Sequence, residues 1–184
     1  MGKSREESGA GKWSPCYKDG AHRRDYGRKT SYRRSVAWLE GNGMIEDWGC
    51  GCRDFEKVLH NMVPPADRPE YIGVDGTAGF CDYLKDLEVY TSRVPCLNMR
   101  HVLEHNVNWR KILENALKSY TKRMTLVLFL RMAETDTNVR DDNWEGHIIP
   151  NIRLCEADLR EMLKGHIHHE DTYRKETIFY LEKA

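Results

Sequence analysis

The chain has 184 residues, with 29 Lys/Arg against 29 Asp/Glu and a formal net charge of zero; it is long enough for one domain with a full hydrophobic core. No run of 18 apolar residues occurs, so no helical membrane span is expected, and the first residues lack the apolar stretch of a secretion signal. Six cysteines (Cys16, Cys50, Cys52, Cys81, Cys96, Cys155) are not needed as staples in a chain of this size, so reduced thiols in a cytoplasmic setting are expected.

Zero net charge hides an asymmetry. Residues 1–34 hold ten Lys/Arg and four Asp/Glu, a balance of +6, and the remainder holds 19 and 25, a balance of −6. Residues 1–29 therefore read as a flexible basic arm or lid, the first 15 of them without periodicity, and residues 30–184 as the folded domain. A helix is predicted from Thr30 or Ser31, with Tyr32, Val36 and Leu39 on one side and a stop at Gly41 to Gly43. A short strand follows at 44–48. The next helix starts near Asp54, with Phe55, Val58, Leu59 and Met62 at helical spacing, and Pro64 and Pro65 end it.

Residues 71–75 form the second predicted strand, 83–86 a brief third and 94–99 a fourth. An amphipathic helix is predicted over 108–120, with Trp109, Ile112, Leu113, Ala116, Leu117 and Tyr120 on one stripe. Residues 124–130 are apolar on both faces, as in a central parallel strand. Residues 131–153 read as a long irregular segment of the kind that carries substrate contacts. A last helix at 157–164 and a hairpin of 166–173 with 177–182 close the chain. Alternating strands and helices imply a parallel α/β sheet with helices on both faces and ligands at the carboxyl ends of the strands.

The chemistry concentrates in Asp47-Trp48-Gly49-Cys50-Gly51 and in Asp75, 24 positions beyond Gly51. A strand, a glycine turn, a helix and a second strand tipped with an acid form the geometry that holds a nucleoside cofactor. The glycines let backbone approach a ligand closely, and the carboxylate accepts ribose hydroxyl hydrogens. A nicotinamide site needs G-x-G-x-x-G, but Asp54 stands at the third glycine's place, where it repels a pyrophosphate.

These motifs, with Y-I-G-V-D-G at 71–76 and M-R-H-V-L-E-H at 99–105, resemble the class I S-adenosylmethionine-dependent methyltransferases, in particular small viral and metagenomic members. The resemblance covers about residues 30–184 and departs from the family at Arg53, where a third glycine is usual. It implies a Rossmann-like α/β fold with a mostly parallel seven-stranded sheet, a C-terminal antiparallel hairpin and helices on both faces. It further implies S-adenosyl-L-methionine as cofactor, held by Asp47 at the methionine end, by Gly49, Cys50 and Gly51 at the turn, by Asp75 and Gly76 at the ribose, and by Asp86 and Leu87 at the adenine. Arg100 and His101 would lie near the reactive methyl, Tyr26 would reach the methionine end from the arm, and His101 or Glu104 would serve as a base.

H-x-x-E-H at 101–105 also fits an inverted zinc-peptidase signature, which needs His101 and His105 on one helix face. Five residues running from a strand tip into the next element explain it without a metal, and no metal site is expected. Cys50-Gly51-Cys52 is too tight for the usual zinc spacing. His166, His168 and His169 read as solvated hairpin residues, with His166 and His168 on one face. The motifs do not specify the methyl acceptor. The arm and the 131–153 segment, which includes Trp144 and His147, are its candidate contacts. No D/N-P-P-Y run follows the fourth strand, which favours a small molecule or glycan over nucleic acid. A non-catalytic ligand- or nucleic-acid-binding module on the same fold is the alternative.

Overall fold

The computed structural model describes residues 30–144 and 147–183. Residues 1–29, expected above to form a basic arm and including Tyr26, lie outside the described residues. Helix α1 (Thr30–Leu39) leads into β1 (Met44–Trp48), α2 (Asp54–Met62), β2 (Glu70–Asp75), β3 (Tyr83–Leu84) and β4 (Val94–Arg100). Helix α3 (Trp109–Ser119) and β5 (Tyr120–Leu128) follow, then a two-stranded ribbon of β6 (Thr137–Trp144) and β7 (His147–Arg153). Helix α4 (Glu156–Leu163), β8 (Ile167–Tyr173) and β9 (Glu176–Glu182) complete the domain.

Seven strands form one sheet in the order β3-β2-β1-β4-β5-β9-β8. β1 to β5 pair in parallel, while β9 runs antiparallel to both β5 and β8. Successive connections move outward from β1 to β3 and then return to β4 beside β1. The strand order thus reverses between β1 and β4, the place where open α/β sheets open a crevice at their carboxyl ends.

Side chains alternate between two cores, as the pleat requires. Trp48, Leu97, Met99, Met124, Leu126, Phe179 and Leu181 pack with Trp109, Ile112, Leu113, Leu159 and Leu163 of α3 and α4. On the opposite face Ile45 and Cys96 pack with Val36 and Leu39 of α1 and with Phe55, Val58 and Leu59 of α2. Helices therefore cover both faces, and the fully buried Trp48 and Trp109 anchor the larger core.

Two expectations are corrected. Residues 131–153 are not an irregular segment, because β6 and β7 form an antiparallel ladder there. β6 is exposed along most of its length, so it carries no apolar alternation. Its order comes from backbone pairing and from Asn151, whose side chain donates to the Arg140 carbonyl and to Asp142. Tyr120 is not the last rung of the α3 stripe but the first residue of β5. Its ring stays in the same core, which is why helical spacing included it.

The histidines of β8 also depart from simple alternation. The register shifts between Ile167 and His169, so His168 and His169 both face Trp38, with ring centroids 4.9 and 5.6 Å away. His169 stacks on Tyr180 at 3.9 Å. The bulge breaks the period of two. Cys50, Cys52, Cys81, Cys96 and Cys155 are all free thiols. Among the described residues no helix is long and apolar enough to cross a membrane.

Candidate functional site

Parallel register sets the site. Trp48 lies opposite both Val74 and Met99, so Gly49, Asp75 and Arg100, each one residue further on, share one level at the carboxyl ends of β1, β2 and β4. Gly49 turns the chain with φ +75° and donates its N–H to the Val74 carbonyl at 2.7 Å. Gly51 follows at φ +53°. Its N–H meets Asp75 Oδ2 at 3.0 Å, and the Thr77 N–H meets Asp75 Oδ1 at 2.8 Å. One buried carboxylate thus ties the glycine turn to the loop after β2. A carboxylate has roughly four acceptor positions, so it can accept ligand hydroxyls besides these amides. Gly76 sits between Asp75 and Thr77 on the same bend.

Asp47 faces the α1/α2 side and accepts from both neighbours in a polar rung across four strands. Thr125 Oγ1 donates to Asn98 Oδ1 at 2.7 Å, Asn98 Nδ2 donates to Asp47 Oδ1 at 2.6 Å, and Tyr71 Oη donates to Asp47 Oδ2 at 2.9 Å. Registers Asp47–Asn98 and Asn98–Thr125 align the rung. Burial pushes the Asp47 carboxyl up to about 6, against the two hydrogen bonds, and the neighbouring charge of Asp75 pushes the same way. Only neutral donors contact it in these bonds, so its ionised form is under-compensated. Cys50, buried beneath the turn, has its thiol raised by burial and then by Asp47 and Asp75, which makes it an unreactive packing group.

Arg53, standing where a glycine is usual, adopts the glycine conformation, with φ 58° and ψ 38° at the N-cap of α2. Its guanidinium forks onto Glu56 at 2.7 and 3.0 Å, reaches Asp82 at 2.8 Å and the Phe80 carbonyl at 3.1 Å, and lies 4.9 Å above the Tyr71 ring. Bidentate pairing of this kind offsets a left-handed penalty of roughly 1–2 kcal/mol. Arg53→Gly is therefore expected to be more stable than Arg53→Ala by about 1 kcal/mol, read from urea midpoints; equal stabilities would show that backbone strain at this position is negligible.

Beyond β3, Asp86 accepts the Glu88 N–H at 3.0 Å and opens a turn to Tyr90. Leu87 is buried, and its carbonyl takes the Asn115 amide at 3.0 Å. At the tip of β4, Arg100 bonds Ser31 Oγ at 3.2 Å, lies 4.4 Å above the Tyr32 ring, and pairs with Glu176 at the start of β9. His101 has φ 57°, donates its backbone N–H to the Val127 carbonyl at 2.9 Å, and places Nε2 2.9 Å from Glu176 Oε1. Burial raises the Glu176 carboxyl, but His101 and Arg100 outweigh it and bring it down to about 2.

Glu104 is fully buried, with Oε1 accepting the Phe129 N–H at 2.5 Å, and burial raises its carboxyl to about 7. Leu103–His105 form a 3-10 turn, and His101 precedes it in a left-handed conformation. His101 and His105 therefore do not share a helix face, and the zinc-peptidase arrangement does not form. His105 instead contacts the Pro150 carbonyl of β7 at 3.0 Å through Nδ1, which ties the ribbon to this end of the sheet.

No protein-family model and no curated protein sequence matches the chain. Among solved structures it is similar to magnesium protoporphyrin IX methyltransferase from Synechocystis PCC 6803 with bound S-adenosylmethionine, at 12% identity and TM-score 0.60 over 100% of this chain and 99% of that one. It is similar to an S-adenosylmethionine-dependent methyltransferase from Aquifex aeolicus, at 12% identity and TM-score 0.58 over 91% and 97%. It is also similar to a Haloferax volcanii structure of the Trm112 methyltransferase activator with its methyltransferase, at 13% identity and TM-score 0.59 over 89% and 77%. The fold is that of the class I S-adenosylmethionine-dependent methyltransferases.

Within this methyltransferase fold, the sequence motifs land together. Asp47, Gly49, Cys50, Gly51, Asp75, Gly76, Arg100 and His101 meet at one end of β1, β2 and β4, with Asp86 and Leu87 just beyond β3. Sequence reasoning missed Tyr71, Asn98 and Thr125 beneath Asp47, and it missed Glu176. Asn98 had a signal, as a polar residue in the middle of an otherwise apolar central strand. Glu176 had none, since it follows Arg174 and Lys175 in what reads as a solvated hairpin turn.

Proposed function

We propose that this protein is an S-adenosylmethionine-dependent methyltransferase acting on a small-molecule or glycan acceptor. The observation that carries the reading is the meeting of the G-x-G turn with Asp75 at one level of two adjoining parallel strands, on this fold. The donor set fits the cofactor. Asp47 and Asp75 raise negative charge at the strand tips, and Asp54 and Glu56 occupy the first turn of α2. This end of the sheet favours a cationic, hydroxyl-bearing ligand and disfavours a polyphosphate.

S-adenosylmethionine, when bound, supplies an electrophilic methyl group on a sulfonium. In this reading Asp75 accepts the ribose hydroxyls, and Gly49, Gly51 and Gly76 admit the ligand close to backbone. Asp47 faces the methionine ammonium, which compensates its buried charge. Asp86 takes the adenine amine and Leu87 packs on the ring. Arg100, engaged by Glu176 and Tyr32, shapes the wall between α1 and β9. His101 holds the position of a base at the tip of β4, and Glu104 locks the turn behind it through the Phe129 amide.

Calorimetric titration tests the reading. S-adenosylmethionine is expected to bind in the micromolar range, about −8 kcal/mol, and NAD is expected not to bind. Asp75→Ala should weaken binding by roughly 5–150-fold, the equivalent of about 1–3 kcal/mol. Wild-type affinity in Asp75→Ala would show that the ligand does not use this strand tip.

A further inference from the structure

Arg53 stands where the third glycine of the turn is usual, and its side chain converges on β2 by two routes. The guanidinium carbon lies 4.9 Å above the ring of Tyr71, which also stacks on Phe55 with ring centroids 6.3 Å apart. Tyr71 Oη in turn donates to Asp47 Oδ2 at 2.9 Å. Along the second route Arg53 Nη1 donates to Asp82 Oδ1 at 2.8 Å, and Asp82 Oδ2 accepts the Gly73 N–H at 2.7 Å. Gly73 is the register partner of Asp47, and Tyr71 lies two residues earlier on the same strand. Both routes therefore end beside the buried Asp47 carboxylate. A glycine at 53 would supply the turn but none of these contacts.

Resting on the methyltransferase reading, we propose that Arg53 is a positioning residue of the cofactor's ammonium site: it holds the Tyr71 ring so that the phenol donates to Asp47, and so favours the charged carboxylate that meets the cationic end of S-adenosylmethionine. The chemistry follows from the groups present. An ionised carboxylate only accepts hydrogen bonds, so each donor aimed at it favours the charged form. Asn98, one of the two donors, is held within the sheet by Thr125. Tyr71, the other, is half-buried, and Arg53 and Phe55 hold its ring from the start of α2. A cation over the ring is attracted to its π face and draws electron density from it, which makes the hydroxyl a better donor. Glu56 and Asp82 fix the guanidinium in place. The other titratable groups acting on Asp47 or acted on by it are Asp75 on β2, Cys50 on the turn, Arg100 on β4 and Tyr32 on α1, and all of them remain when Arg53 is replaced.

The test is the carbon-13 titration of the Asp47 carboxyl in ligand-free, full-length protein, with its signal identified by its loss in Asp47→Asn. Arg53→Gly is the variant, since glycine adopts the left-handed backbone without strain. Its Asp47 midpoint is expected about 0.5 pH unit above that of wild type, and Tyr71→Phe should raise the midpoint by about 1 pH unit. In the double variant the midpoint should match that of Tyr71→Phe alone. A wild-type midpoint in Arg53→Gly overturns the proposal. So does an Arg53→Gly effect that persists undiminished in the Tyr71→Phe background, which would show that Arg53 acts on Asp47 without the phenol. Wild type by itself gives a further reading: the Tyr71 ring signals should titrate with the Asp47 midpoint, and signals that ignore it overturn the proposal even if no variant folds. S-adenosylmethionine titration separates the two readings. The pH at which affinity falls should move upward with the carboxyl midpoint in Arg53→Gly, and an affinity profile that stays put while the carboxyl moves overturns the link to the cofactor. Absent binding by wild type sinks the methyltransferase reading and leaves the carboxyl titration standing.

Discussion

Asp47→Asn is expected to stabilise the ligand-free protein at neutral pH while abolishing tight S-adenosylmethionine binding. The carboxyl is buried and raised to about 6 from an ordinary 3.8, a distance worth about 3 kcal/mol at 1.36 kcal/mol per decade. The direction follows from linkage. With the folded-state value above the unfolded one, the contribution of Asp47 favours folding below about 3.8 and is lost as pH rises through about 6. Above pH 6 the folded protein therefore holds an ionised Asp47 at full cost, and asparagine removes that cost. One of the two donors, Tyr71 or Asn98, then loses an acceptor, so the net gain should be about 1–2 kcal/mol.

Urea unfolding of both proteins across pH 4 to 8 checks this. The advantage of asparagine should be largest above about pH 6 and reverse towards pH 4, where the buried carboxyl is neutral and only the cost of the lost acceptor remains. A constant difference across that range would mean that Asp47 does not titrate as its burial implies. The binding half of the prediction has the same cause. A cationic ligand group compensates the buried carboxylate, so S-adenosylmethionine affinity should fall as pH drops through about 6 in wild type, and this dependence should disappear in Asp47→Asn. A site that strains the empty protein and is relieved on binding is a familiar exchange of stability for function.

Gly49→Ala is expected to destabilise the fold by about 2–5 kcal/mol. Two effects add. The turn requires φ +75°, which costs any β-carbon roughly 1–2 kcal/mol. The added carbon would also stand 2.3 Å from Val102 Cγ2, so Val102 or the turn must move, an overpacking cost of roughly 1–3 kcal/mol. A double-mutant cycle separates the two. In a Val102→Ala background the substitution should cost only the backbone share, about 1–2 kcal/mol. A Gly49→Ala protein within about 0.5 kcal/mol of wild type would show that the turn relaxes easily and that its glycine is dispensable for folding.

Gly49 and Arg53 show how one motif mixes strict and flexible positions. At 49 the Val102 contact closes off any side chain, whereas at 53 the same left-handed backbone opens outward. A long side chain there reaches Glu56, Asp82 and Tyr71. The departure from the family's glycine pattern is thus compatible with an intact turn, because a forked ion pair takes over what conformational freedom would otherwise supply.

Local pattern alone determined the alternation of strands and helices, the glycine turn and the acids at 47 and 75, because backbone conformation and binary burial repeat at short range. Register then made Gly49, Asp75 and Arg100 neighbours, as a parallel sheet must when its strand tips align. The β6–β7 ribbon stayed hidden because a ladder exposed along most of one strand leaves little hydrophobic period to read. Only the tertiary structure brought Glu176 to His101 and stacked Thr125, Asn98, Tyr71 and Asp47 into one rung. Those contacts join residues from different strands, and hydrogen bonds between distant segments leave no periodic trace in the chain that makes them.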